Sequence, residues 1–339
     1  MKHIKAGYVV QGELKNVSNH DAKALDVINI AFAHCRDSVI SFYHEEDLEY
    51  LPIIRSYNPE IKILISVGGW GSGGFSPMAS TVDNRRRFAR SCLEFLEKYS
   101  LDGLDIDWEY PCIDWANIEA SPDDRTNYTL MLKEIRSCFD RAGRQDLMLT
   151  VAVGCDSYFI ANTEMDKVAQ VLDYVSIMTY DMRGCGDRIT GHHTNLYKYN
   201  CDNPANRRSV EHSVAIYNNA GVPLEKIVIG AAFYSRMWKG VIDDGTSGLC
   251  RPAEPGNYGP GYSELYNDYI GKNGFESYYD DIAAAPYLFN GSVFISYDDE
   301  RSIAQKCNYI KETGLLGIMY WEHSCDSTRR LLAAINENL

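Results

Sequence analysis

The chain has 339 residues, a formal net charge of −14, 24 tyrosines, five tryptophans and ten cysteines. Its length exceeds a single barrel of about 250 residues by enough to hold an inserted subdomain, and 24% charged content is that of a globular protein. The negative balance argues against nucleic acid, an anionic membrane surface or an acidic polymer as partner and favours a neutral or weakly cationic ligand.

The chain begins MKHIKAGYVV, without the apolar core of a signal peptide, and no later run reaches transmembrane length. A cytoplasmic protein is expected as written, or an extracellular one if a leader has been removed. Short β-rich apolar runs then alternate with amphipathic stretches. Strands are predicted at Ile4–Val10, Val27–Ala33, Lys62–Val67, Gly103–Trp108, Met148–Val153, Tyr174–Thr179, Ile227–Phe233 and Gly317–Tyr320. Helices are predicted over Asn84–Tyr99, with Phe88, Cys92, Phe95 and Tyr99 on one face, and over Asn127–Arg141, with Met131, Ile135 and Cys138 on one face. Such a βα rhythm predicts a parallel sheet closed into a (β/α)8 TIM barrel. The rhythm breaks once, over a Gly-, Pro- and Tyr-rich segment. That break predicts a small α+β insertion between strands 7 and 8, with 1–237 and 298–339 forming the barrel and 238–297 the insert.

The most informative segment is Leu101–Pro111, LDGLDIDWEYP. Side chains of a strand alternate between faces, so Asp105, Asp107 and Glu109 share one side and Leu104, Ile106 and Trp108 the other. Carboxylates about 6–7 Å apart on one face repel one another. The apolar opposite face points to an interior strand. The pattern therefore reads as an acid array that raises a pKa and keeps one carboxyl protonated for donation. Barrel chemistry sits at the C-terminal strand ends, which puts Glu109 at the mouth and Asp105 deepest.

Other signals are weaker. The cysteines show no CxxC spacing, no zinc pattern and no disulfide framework, and Cys92 and Cys138 read as core thiols. His192 and His193 lack companion ligands and read as a solvated loop, so no metal site is expected. Gly69, Gly71 and Gly74 match GxGxxG, but Pro77 argues against a helix opening at the third glycine, and no nucleotide cofactor is expected. Those glycines instead allow a ligand close to the backbone.

Several blocks together resemble the family 18 glycoside hydrolases, the chitinase family, of the type that carries an insertion domain. Asp102–Glu109 fits DxxDxDxE, Ser66–Trp70 fits the SxGG strand, Met178–Asp181 fits MxYD, and Phe233–Arg236 is similar to FYGR with Ser235 in place of Gly. Tyr297–Asp299 and Trp321 resemble the end of the insertion and the C-terminal barrel tryptophan. The resemblance implies hydrolysis of β-1,4 N-acetylglucosamine linkages in chitin or its oligosaccharides, assisted by the substrate's own acetamido group and without a cofactor. It implies Glu109 as acid and base, Asp107 as partner of the cationic intermediate, Asp105 sharing a proton with Asp107, and Tyr180 holding the acetamido carbonyl. It implies that Tyr8, Phe32, Met178, Asp181, Tyr234, Arg236 and Trp321 line the sugar pocket, that Trp70 stacks on the leaving-group side, and that Asp102 is structural.

Two family tryptophans are missing, at Gln11–Gly12 and at Gly184–Cys185–Gly186, which disfavours processive attack on crystalline polymer. The alternatives are a chitin-binding lectin, opposed by the presence of Glu109, and a glycosidase for other N-acetylglucosamine linkages in N-glycans or peptidoglycan. A monomer is expected, with no nucleic-acid or membrane partner.

Overall fold

The computed structural model describes residues 3–201 and 208–339. In chain order the strands are β1 (Ile4–Val10), β2 (Val27–Arg36), β3 (Val39–Ser41), β4 (Lys62–Gly68), β5 (Gly103–Asp107), β6 (Met148–Gly154), β7 (Tyr174–Met178), β8 (Ile227–Ala232), β9 (Tyr234–Trp238), β10 (Asn257–Gly261), β11 (Glu276–Asp280), β12 (Ala285–Phe289), β13 (Phe294–Ser296) and β14 (Gly317–Trp321). The larger sheet runs β1-β14-β8-β7-β6-β5-β4-β2-β3, and a β1–β2 pairing closes it. All of its ladders are parallel except that of β3, a short antiparallel return against β2. The result is the (β/α)8 barrel that the sequence rhythm predicts.

Alternation along each strand separates two apolar layers. Leu104, Ile106 and Trp108 join Phe88, Cys92, Met131 and Ile135 in the layer between strands and helices. Ala6, Tyr8, Leu64, Tyr174, Val228 and Met319 fill the barrel interior. The helix Val82–Tyr99 starts where Thr81 accepts from the Asn84 amide at 3.2 Å and ends at Ser100 in a left-handed conformation. Asp102 lies outside the array. It accepts from Arg55 at 2.7 Å and from the Ile63 amide at 2.9 Å, fastening β4 to its neighbours.

A second sheet, of order β10-β9-β13-β12-β11, is antiparallel and lies between β8 and β14 in the chain. It packs Trp238, Val241, Tyr287, Phe289 and Phe294 into a core of its own. Its first strand starts at Tyr234, so Arg236 belongs to it. The loop following β7 is bound to this sheet through bridges Cys185–Gly256 and Ile189–Pro252, and Trp238 Nε1 donates to the Asp187 carbonyl at 2.9 Å. Cys201 and Cys250 form a disulfide. Their sequence spacing of 49 residues gave no hint of it, because only the fold brings them together.

Two further expectations are corrected. A helix, Phe75–Ala79, does open at Gly74. Pro77 sits within its first turn, where a missing N–H is tolerated. Two of the three glycines serve the chain's own packing: a Cβ on Gly69 would lie 2.7 Å from the Phe32 ring and one on Gly74 2.3 Å from the Cys35 carbonyl oxygen, whereas one on Gly71 would meet nothing closer than the Ala116 Cβ at 3.9 Å. His192 and His193 are fully buried, not solvated. His192 Nε2 lies 3.2 Å from Asp280 of the second sheet, so that sheet covers the loop.

The ends of β7 and β8 meet at a buried ion pair. Lys306 Nζ donates to Asp298 Oδ2 and to Thr194 Oγ1, each at 2.6 Å. Asp298 also accepts from the Ala232 amide at 3.0 Å and from Ser302 Oγ at 2.7 Å, and Thr194 Oγ1 reaches the Thr179 carbonyl at 3.0 Å. Neither charge is exposed by more than 1%. Removing one partner strands the other in a low-dielectric interior, so Lys306→Met should lower unfolding free energy by about 3–5 kcal/mol in urea titrations. A loss below about 1 kcal/mol would show that the pair does not hold the strand ends.

Candidate active site

Asp105 and Asp107 point into the barrel from β5, and Glu109 follows just past the strand end. Asp105 is fully buried, and register neighbours on either side satisfy it. Ser66 Oγ donates to Oδ2 at 2.8 Å and Thr150 Oγ1 to Oδ1 at 2.6 Å. From β1 across the barrel, Tyr8 donates its hydroxyl to Oδ2 at 2.9 Å. Burial raises the Asp105 pKa against the pull of these three donors. Asp107 is 3% exposed, and its Oδ1 is buried without a hydrogen-bond partner. Burial, then the charges of Glu109 and Asp105, hold its carboxyl well above the usual range. Burial pushes Glu109 up to about 7; Tyr110 opposes this by hydrogen bonding and nearby Asp181 adds to it. Asp107 feels the charges of both other acids, so its proton affinity is tied to theirs.

The other strand ends converge on these acids. Tyr180, just past β7, is 8% exposed and places its hydroxyl 3.8 Å from Met319 Sδ, with Met178 beside it in the interior cluster. The charges of Asp107 and Glu109 add to burial in raising its pKa. Trp321 ends β14. Its ring stacks on Phe32 at 5.3 Å and 18°, and meets Tyr8 at 5.7 Å. Trp70, past β4, is 61% exposed and touches Tyr110 edge-on at 6.3 Å.

Asp181 is the hub of the opposite wall. Its backbone is left-handed, with φ 56°. Tyr234 Oη and Arg236 Nε both donate to Oδ1 at 2.6 Å, and a second Arg236 nitrogen reaches Oδ2 at 2.6 Å. Burial works against ionisation here, but His193 and Arg236 outweigh it and keep Asp181 charged.

Sequence reasoning missed three residues in this region. His193 lies 3.6 Å from Asp181 and packs on Tyr234 at 5.3 Å. Tyr258, on β10, is 62% exposed and lies under the Arg236 guanidinium, which sits 3.7 Å from its ring centroid. Trp115, on the loop after the acid strand, is 47% exposed and meets Tyr110 at 6.2 Å. None sits in a motif. Only the surplus of aromatic residues outside the predicted strands and helices signalled the last two.

The sequence matches the family model for glycosyl hydrolases family 18 over residues 5–326. The chain belongs to glycoside hydrolase family 18. It is 38% identical to Chitinase A1 of Niallia circulans over 314 residues, covering 86% of this chain and 44% of that protein. It is 32% identical to Chitotriosidase-1 of Mus musculus, covering 82% of this chain and 62% of that protein. The chain thus spans less than two thirds of the length of these curated relatives. Among solved structures, a family 18 N-acetylglucosaminidase from Paenibacillus barengoltzii matches with a TM-score of 0.96 and 49% identity, covering 100% of both chains.

The raised Glu109 pKa in this family 18 site has a stability consequence. An unfolded Glu loses its proton near 4.5, whereas the folded one keeps it to about 7. Between those values the native state binds more protons, so stability falls as pH rises. Glu109→Gln removes that loss. The variant should be more stable than the parent at pH 8, and the difference should close below pH 4.5, by urea titration at both pH values. Equal stabilities at pH 8 would contradict the burial argument.

Proposed function

We propose that this protein hydrolyses β-1,4 linkages between N-acetylglucosamine units of chitin or chitooligosaccharides, with retention of configuration and by substrate assistance. The observation that carries this reading is the acid series along and just past β5, in which Glu109 holds its proton to about 7 beside Asp107, itself raised by burial and by the charges of Glu109 and Asp105. A group with a pKa near neutrality serves both as acid and as base.

The steps follow. Glu109 gives its proton to the glycosidic oxygen as the C1–O bond breaks. The acetamido oxygen of the same sugar bonds to C1, giving a cyclic oxazolinium and a free leaving group. Glu109 then takes a proton from water, whose oxygen attacks C1 and reopens the ring. Because the nucleophile belongs to the substrate, little entropy is lost in bringing it to C1. Asp107, with one oxygen unsatisfied by the protein, accepts from the acetamido N–H and faces the oxazolinium charge. Asp105, fixed by Tyr8, Ser66 and Thr150, sets the proton affinity of Asp107. The Tyr180 hydroxyl orients the acetamido carbonyl. Trp321, supported by Phe32, is the apolar floor; Met178, Asp181, Tyr234 and Arg236 line the walls, and Trp70 covers the leaving-group side. Segment 238–297 is proposed as a subdomain walling the cleft, supported by the separate core of the second sheet and by Tyr258 at its edge. The net charge of −14 suits an uncharged sugar.

A second reading, release of single N-acetylglucosamine units, is favoured by the full-length likeness to an N-acetylglucosaminidase. It also agrees with the open space at Gly12 and Gly186, where a Cβ would meet nothing within 4 Å. Early products from N-acetylchitohexaose separate the two: monosaccharide from the start for the second, oligosaccharides first for endo-cleavage.

Glu109→Gln keeps shape but cannot donate a proton. Hydrolysis of chitooligosaccharides should fall by at least about 100-fold while oligosaccharide binding persists. Turnover within tenfold of the parent would remove the assignment. Asp107→Asn should also slow the reaction sharply, and Asp105→Asn should alter the acidic limb of the pH–rate curve. Superimposable pH profiles for the parent and Asp105→Asn would contradict the coupled-acid picture.

A further inference from the structure

We infer that Trp115 is a specificity-determining residue that supplies a second stacking surface for the N-acetylglucosamine unit leaving with the broken bond. The inference rests on the glycosidase reading above and deepens it.

Apart from the half-buried Trp321 of the pocket floor, the tryptophans divide into two groups. Trp108 and Trp238 are buried, at 1% and 0% exposure, as packing residues are. Trp70 and Trp115 stand in solvent at 61% and 47%. Both exposed indoles meet the same ring, Tyr110, edge-on, at 6.3 and 6.2 Å with interplanar angles of 66° and 85°. Tyr110 is the residue after Glu109. Trp115 also packs on Tyr158 at 4.9 Å. Tyr110 thus ties two open indole faces, from the loops after β4 and β5, to the chain position beside the acid. The floor and opposite wall come from other elements: Trp321 on β14, and Arg236 and Tyr258 on the second sheet.

The loop carrying Trp115 is held in place. Ile118 is 7% exposed and anchored in the outer core. The Gly74 amide donates to Glu119 Oε2 at 3.0 Å, and the Ser121 amide to Asp124 Oδ2 at 2.7 Å. Ala116 and Asn117 are left-handed, with φ 59° and 57°, so the chain turns tightly directly after the indole. An aromatic face displayed on a fixed loop binds with little ordering cost. An N-acetylglucosamine ring is uncharged, has C–H faces for an indole and carries hydroxyls at its rim, which suits an apolar surface in a polar mouth. The loop after β4 already carries one such surface in Trp70. Trp115 adds another from the neighbouring strand end and widens the grip on the leaving group.

The test compares Trp115→Ala and Trp115→Phe with the parent, using triacetylchitotriose as substrate and the thiazoline of a single N-acetylglucosamine as inhibitor. The thiazoline fills only the sugar site that keeps C1. Trp115→Ala should raise KM for the trisaccharide about three- to tenfold, the scale of one aromatic contact, with kcat within twofold. The thiazoline inhibition constant should not move, and Trp115→Phe should recover most of the KM. An unchanged KM in Trp115→Ala overturns the inference. So does a parallel rise in KM and inhibition constant that Phe does not rescue, since that is a packing defect. A parent enzyme that neither cleaves the trisaccharide nor binds the thiazoline removes the glycosidase reading itself.

Discussion

Taking carboxyl groups out of water favours their neutral form, and this one constraint organises the barrel mouth. Strand alternation places Asp105, Asp107 and Glu109 on the same side of β5, too close for all three to ionise without penalty. The protein grades them by what each is given. Asp105 has three hydroxyl donors, Asp107 keeps one oxygen without a partner, and Glu109 lies where the strand opens toward solvent. Across the site Asp181 shows the opposite treatment. A guanidinium grips both its oxygens and holds the charge in place. A mouth containing both a proton-retaining acid and a fixed anion is suited to proton transfer combined with precise positioning.

The remaining fold serves to hold these strand ends still. The Lys306–Asp298 pair joins the exits of β7 and β8, which carry Tyr180 and the start of the second sheet. That sheet in turn delivers Arg236 and Tyr258 to Asp181. Gly68 lets the end of β4 lie directly against the Asp107 backbone, with the Gly69 amide donating to its carbonyl at 2.9 Å. Asp105 is set by both neighbouring strands and by Tyr8 from β1, so the array depends on barrel closure as well as on its own segment.

The barrel and its acid strand were legible because both are local patterns. Period-two alternation put the acids on one face without any knowledge of neighbours, and the βα rhythm gave the closed parallel sheet. What was not legible depends on distant contacts. The Cys201–Cys250 bridge, the burial of His192 and His193 beneath the second sheet, and the start of that sheet at Tyr234 are set by chain segments far apart in sequence. The helix at Gly74 is hidden in the sequence because Pro77 resembles a helix breaker, although a proline in the first turn is harmless. Trp115 and Tyr258 sit where the sequence shows no clear period or motif, so nothing distinguishes a displayed ring from a buried one.

The central claim is that the substrate supplies its own nucleophile while Glu109 moves the proton. Its most direct test is the configuration of the first-formed product, followed by NMR during early hydrolysis of a chitooligosaccharide before mutarotation. Attack by the acetamido oxygen, then by water from the face the leaving group vacated, predicts the β anomer. A predominance of the α anomer at early times would mean a single direct displacement by water and would contradict the account.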